Sequence, residues 1–104
     1  MSKYFNIVGS TSVTTELIAP GARNDIKSIL LTNMHDTADA TVTLFIEYDT
    51  GDTTRQRLRL LNTIAIPADS SLFLDNPSMF LFGEEFGLYI TVGSSDTVDV
   101  LINQ

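Results

Sequence analysis

His35 is the only histidine of the chain and the first residue whose type could do chemistry. It stands in a polar stretch with Asp36 and Asp39, and a His–Asp pair can orient an imidazole for acid–base catalysis. Such a pair needs an activated nucleophile, and the sequence has no Gly-x-Ser-x-Gly turn. A zinc site needs several imidazole or thiolate ligands, and the chain has no cysteine. We therefore interpret His35 as a solvated loop histidine.

Acidic residues offer two further candidates, and their spacing disfavours both. Glu47, Asp49 and Asp52 could hold a cation, but calcium usually takes its oxygens from a denser acidic loop, and Asp-Thr-Gly-Asp is typical of a hairpin turn. Glu84 and Glu85 could act as acid and base, but adjacent side chains of a strand point to opposite faces. The sequence thus predicts no catalytic, cofactor or metal site, and we expect a protein that is not an enzyme.

Three arginines form the one basic stripe of the sequence. Arg55, Arg57 and Arg59 alternate with other residues, so on a strand their guanidinium groups share one face. The stripe could dock an acidic partner or a second copy of the chain. It could equally be a solvent face that is balanced by cross-strand acids such as Glu47 and Asp49. Both interpretations stay open at this point.

Apolar residues suggest a second kind of contact surface. Residues 79–82 read Met-Phe-Leu-Phe beside a turn, and Phe73, Phe45 and Leu101 fall on strand faces that we predict to be outer. A contiguous exposed apolar patch marks an interface, although Phe80 and Phe82 could instead close the end of the core. The candidate interface residues are Arg55, Arg57, Arg59, Phe73, Met79, Phe80 and Phe82.

The elements that carry these residues are predicted to be strands. Apolar residues alternate with period two, as in Val42-x-Leu44-x-Ile46 and Leu88-x-Ile90-x-Val92. Turn residues separate the runs, residues 33–39 form a polar loop, and residues 76–81 give the one place for a helical turn. The sequence predicts an all-β antiparallel β-sandwich, immunoglobulin-like or jelly-roll-like, with about eight strands. We expect residues 1–104 to form a single domain.

Composition excludes several classes of function. Six basic and 13 acidic residues give the 104-residue chain a formal net charge of −7, which disfavours binding to nucleic acid and to anionic membranes. Without cysteine, a disulfide framework is also excluded. The sequence shows no signal peptide and no membrane span, so we expect synthesis in a cytoplasm.

Two stretches carry a family resemblance. Residues 26–33 read Ile-Lys-Ser-Ile-Leu-Leu-Thr-Asn, and a polar loop and Ala-Thr-Val-Thr-Leu follow at residues 40–44. Residues 63–75 read Thr-Ile-Ala-Ile-Pro-Ala-Asp-Ser-Ser-Leu-Phe-Leu-Asp. Together they resemble small β-sandwich virion proteins of tailed bacteriophages, which include head decoration (cement) proteins and small tail or neck proteins.

The resemblance implies a structural role without catalysis. It implies a virion location, made in the host cytoplasm, with many copies bound to the major capsid protein or another virion protein, often as trimers or dimers. Head decoration is the first expectation, and a small tail or neck protein is the alternative. A carbohydrate- or ligand-binding β-sandwich module is a further class, for which Tyr4, Tyr48 and Tyr89 are the tyrosines available in a chain without tryptophan.

Overall fold

The computed structural model describes residues 2–8, 14–21, 25–49, 55–80, 82–83, 85–93 and 96–104. Within them the chain forms the strands β1 (Ser2–Val8), β2 (Thr14–Ile18), β3 (Ser28–Asn33), β4 (Ala40–Asp49), β5 (Arg55–Ile66), β6 (Ser71–Leu74), β7 (Gly87–Val92) and β8 (Thr97–Asn103). A 3-10 turn over Pro77–Phe80 lies inside the stretch that the sequence predicts to be helical. None of the helical segments in these ranges is long and apolar enough to cross a membrane.

The strands form two four-stranded antiparallel sheets. The first sheet has the order β1-β8-β3-β6 and the second has the order β2-β7-β4-β5. The pairs β1 with β8, β2 with β7, β3 with β6 and β4 with β5 nest inside one another around the β4–β5 connection. This is the topology of a jelly roll. The predicted β-sandwich is therefore confirmed, and the nesting selects the jelly-roll alternative over the immunoglobulin-like one.

The core follows directly from the period-two pattern. Alternate residues of each strand face inward, and the buried set is almost entirely aliphatic because β-branched and leucine side chains fill the space between two pleated sheets. The largest fully buried side chains are Ile18, Ile29, Leu31, Leu44, Ile66, Leu88, Ile90, Ile102, Val42, Val92, Val98 and Val100.

One polar side chain inside this core links the two sheets. Asn33 is only 2% exposed, and its Nδ2 group donates to the carbonyl oxygens of Ala38 (2.9 Å), Ile66 (3.0 Å) and Pro67 (3.3 Å). Its Oδ1 atom accepts from the backbone N–H of His35 at 2.9 Å. The sequence predicts Asn33 as the start of a polar loop. Instead it is the last residue of β3, and its amide joins the first sheet to the end of β5 in the second.

Strand β5, at the edge of the second sheet, is irregular. Its register against β4 shifts on both sides of Leu44, and Thr63 has a φ of 52°. A positive φ is unusual for a β-branched residue. It is supported here by a hydrogen bond from the backbone N–H of Thr63 to the Thr43 hydroxyl at 3.0 Å. Bulges of this kind interrupt the hydrogen-bonding edge that a strand would otherwise offer.

We predict that Asn33→Ala lowers the free energy of unfolding by about 2–3 kcal/mol, because one buried carbonyl oxygen, that of Ile66, and two partly buried ones lose a donor. Asn33→Asp should cost more, since it sets a carboxylate oxygen against those same carbonyls. Urea unfolding followed by circular dichroism measures both losses, with the exposed Asn62→Ala as the matched control. A loss for Asn33→Ala no larger than that of the control would contradict the structural role given to this amide.

Candidate binding surface on the first sheet

The outer face of the first sheet carries an apolar row that crosses all four strands. The register aligns Tyr4 with Leu101, Leu101 with Leu30, and Leu30 with Phe73. Tyr4 is 78% exposed, Phe73 is 54% exposed, and the two leucines between them are half-buried. We call these four residues the apolar belt. Exposed aromatic side chains that are aligned with aliphatic ones form a contiguous patch, unlike isolated surface apolar residues.

A polar row lies directly beside the apolar belt. It consists of Asn6, Asp99, Thr32 and Ser71, which are aligned by the same register two residues further along each strand. The Asn6 side-chain amide donates to Asp99 Oδ1 at 2.5 Å, and the Thr32 and Ser71 hydroxyl groups are 3.0 Å apart. Cross-strand hydrogen bonds therefore hold the side chains of the polar row in place.

A shallow groove of about 320 Å³ opens where the two rows meet. The apolar belt contributes Tyr4, Leu30 and Leu101 to its walls, and the polar row contributes Asn6, Thr32 and Asp99. Phe5 and Val100 complete the lining. An apolar floor beside a carboxylate, an amide and a hydroxyl group suits a ligand that has one apolar and one hydrogen-bonding side.

On the outer face of the second sheet, neighbouring side chains cover the ring of Phe45. Phe45 faces outward on β4 but is only 3% exposed. The Tyr89 ring stacks on it with a centroid distance of 5.5 Å, and the Arg57 guanidinium lies 4.4 Å from the centre of its ring. Arg57 is held there by Glu47, whose Oε2 atom accepts from Nε at 2.9 Å and from Nη2 at 2.6 Å. A cation over an aromatic face and a two-point ion pair stabilise this cover.

One arginine of the stripe is paired with an acid across the strand pair. The register sets Arg57 opposite Glu47, Arg55 opposite Asp49, and Arg59 opposite Phe45. For Arg57 the structure gives the balanced-face interpretation, because its guanidinium pairs with Glu47. Arg59 is exposed, and the side chains of Arg55 and Asp49 lie outside the described part. For Arg55 and Arg59 both interpretations of the stripe stay predictions.

The apolar run after β6 lies mostly against the core. Phe80 is 3% exposed and belongs to the core cluster, so it is removed from the candidate interface. Met79 and Phe82 are half-buried and pack against the same cluster, and Phe82 meets Phe86 edge-on with a centroid distance of 6.5 Å. Their physical role is to close the sandwich. Of the candidate apolar residues, Phe73 is the one that the structure exposes on a sheet face.

The polar loop places His35 beside an acid that is distant in sequence. His35 Nε2 lies 3.5 Å from Asp96 Oδ1, whereas Asp36 and Asp39 are exposed. Asp96 Oδ2 also accepts from the Thr41 backbone N–H (3.1 Å) and its hydroxyl (3.4 Å). Asp96 thus connects the loop that carries it to Thr41 on β4 and to the loop of His35. Its geometry is that of a structural contact.

Two candidate acidic sites are incompletely described. Asp52 of the proposed cation loop and Glu84 of the acidic pair lie outside the described residues. In the ranges that the structure covers, no group of three histidine, cysteine, aspartate or glutamate side chains could hold a metal ion.

The comparisons with known proteins bear on the fold. No protein family matches the sequence, and no curated protein is similar to it. A crystal structure of PirA is similar to this chain, with a TM-score of 0.59 and 12% identity over 99% of this chain and 93% of PirA. A structure of infectious bursal disease virus, Gx strain, is similar with a TM-score of 0.40 and 11% identity over 98% of this chain and 33% of that one. The likeness to PirA shows the β-sandwich fold alone.

We predict that Arg57 and Glu47 are energetically coupled by about 0.5–1 kcal/mol, the range for an exposed pair with good geometry. The measurement is a double-mutant cycle with Arg57→Ala and Glu47→Ala, read as the free energy of unfolding in urea. Arg59→Ala with Glu47→Ala is the matched cycle, and it should show less coupling. Equal coupling in the two cycles would contradict the cover described for Phe45.

Proposed function

We propose that this chain is a non-enzymatic structural protein of a bacteriophage virion. In its specific form, the proposal is that it decorates the head surface in many copies and binds the major capsid protein through the outer face of the first sheet. The observation that carries the proposal is the apolar belt, which crosses four strands and leaves Tyr4 and Phe73 more than half exposed.

The fold is compatible with a structural role in a virion, but the fold alone does not identify the function. Jelly rolls occur in viral capsid domains and in lectins, so the choice between these classes depends on the surface. Here the side chains best suited to chemistry serve as supports. Asn33 joins the sheets, His35 meets Asp96, and Arg57 covers Phe45. The apolar belt, in contrast, is aligned across four strands and leaves Tyr4 and Phe73 exposed.

The size of the face favours a repeated contact. Four strands about 4.8 Å apart and some 20 Å long give a flat face of about 400 Å². A standard stable interface buries about 800 Å² on each partner. One such face therefore gives weak attachment, and many equivalent sites on a particle would supply the avidity. With a net charge of −7, the chain should prefer a neutral or basic partner surface.

We predict that Phe73→Glu lowers the number of copies on purified particles about tenfold, because burying half of a phenylalanine side chain contributes about 1.5 kcal/mol. Occupancy is measured by quantitative mass spectrometry of virions that carry the variant gene. Leu58→Glu is the matched control, since Leu58 is 56% exposed on the second sheet and the change in charge is the same.

The control variant should occupy particles as the unchanged protein does. Equal occupancy for Phe73→Glu and Leu58→Glu would contradict attachment through the apolar belt. Absence of the unchanged protein from purified virions would overturn the structural role itself.

The groove favours a second candidate, a carbohydrate-binding module. A pyranose ring has an apolar face that could pack on Tyr4, and hydroxyl groups that Asp99 and Asn6 could bind. In this case a glycan array would identify a ligand, and Tyr4→Ala would weaken its binding about tenfold in titration calorimetry. Val8→Ala, an exposed change on the same strand outside the groove lining, would leave binding unchanged. An array without any ligand would remove this candidate.

A further inference from the structure

Strand β1 differs from the edge strands at the other three sheet borders. The second sheet ends in β5, which has two register shifts, and in β2, whose register shifts between Glu16 and Ile18. The other edge of the first sheet is β6, which has only four residues. Strand β1 has seven residues in unbroken register with β8. Bulges and short length protect an edge against pairing with another chain, and β1 has neither protection.

The hydrogen-bond phase shows which groups β1 presents. The backbone N–H of Met34 donates to the carbonyl oxygen of Thr97 at 3.0 Å, so odd-numbered residues of β8 bond to β3. In an antiparallel sheet the even-numbered residues of β8 must then bond to β1. Their partners on β1 are odd-numbered, for example Phe5 opposite Val100. The N–H and C=O groups of Tyr4, Asn6 and Val8 therefore point out of the sheet.

We propose that two copies of this chain pair edge to edge through β1, antiparallel, with the two-fold axis at Asn6. Tyr4 then lies opposite Val8 of the second copy, and Phe5 lies opposite Ile7 of the second copy. Asn6 faces its own equivalent. Apolar residues meet apolar residues on both faces of the sheet, and the two Asn6 amides meet at the axis. The outward N–H and C=O groups of each strand pair with those of the other.

The alternative registers fit less well. Centring the pair on Phe5 sets Lys3 opposite Ile7, and centring it on Tyr4 sets Lys3 opposite Phe5. Either choice places a charged side chain against an apolar one. The register at Asn6 leaves Lys3 outside the five paired residues. Antiparallel pairing that satisfies the edge of β1 would join the two first sheets into one eight-stranded sheet. This pairing does not depend on the proposed attachment to a virion.

Single cysteines test both the pairing and its register, because the chain has no cysteine of its own. Across the axis the two Cα atoms of residue 6 would be about 5.5 Å apart, which suits a disulfide. We expect Asn6→Cys to form a covalent dimer at least about tenfold faster under mild oxidation than Ser71→Cys, the control on the β6 edge. A mixture of Tyr4→Cys and Val8→Cys should cross-link, whereas Tyr4→Cys alone should not.

Non-reducing electrophoresis and mass spectrometry give the rates, and thermal unfolding checks that each variant folds. Asn6→Cys that cross-links no faster than Ser71→Cys would overturn the pairing. Tyr4→Cys alone cross-linking as fast as Asn6→Cys would overturn the register. A non-covalent readout is sedimentation velocity at high concentration. The mass of the unchanged protein should rise with concentration; Asn6→Lys should abolish this rise, and Ser71→Lys should retain it. An equal rise in both variants would also overturn the proposal.

Discussion

The alternation of side chains along a strand is the constraint on which this molecule depends. Each strand must direct half of its residues to the core and half away from it. The inner halves of both sheets form one aliphatic core, so a contiguous group of outward apolar residues needs another explanation. On the second sheet the explanation is local, because Arg57, Glu47 and Tyr89 cover Phe45. On the first sheet the apolar belt has no comparable cover among the described residues, and this asymmetry directs the functional proposal to that face.

The same constraint explains why the polar groups of this protein act as supports. A strand that ends between two packed sheets leaves backbone carbonyls buried or partly buried, and the buried ones require donors. Asn33 supplies donors to the carbonyls of Ala38, Ile66 and Pro67. Asp96 similarly accepts from Thr41 and lies beside His35. Both residues connect segments that are distant in sequence. A jelly roll needs such connections wherever its chain crosses from one sheet to the other.

Much of the fold could be predicted from the sequence, because period two is a local signal. It identified the strands around Val42 and Leu88 and the outward position of Phe73, and the proline at position 77 indicated the helical turn. The order of strands within a sheet is not local. Tyr4 and Phe73 join one row only because β8 and β3 lie between their strands, and no spacing in the sequence shows this. Phe80 had two open interpretations, and Phe45 was predicted on an outer face without the cover that buries it, because burial depends on what the neighbouring elements place over a side chain. Asn33 reads as a turn residue, and its inward phase on β3 was the available signal for a buried amide.

We propose that the apolar belt is the surface by which this protein attaches to a larger assembly. The most direct measurement is hydroxyl-radical footprinting of the protein free in solution and bound to particles, with modification read by mass spectrometry at each residue. If the belt is the attachment surface, Tyr4 and Phe73 should lose most of their reactivity toward hydroxyl radicals on the particle. Met34 and Leu58, which are exposed elsewhere, should keep theirs. Unchanged reactivity at Tyr4 and Phe73 together with protection at Leu58 would contradict it.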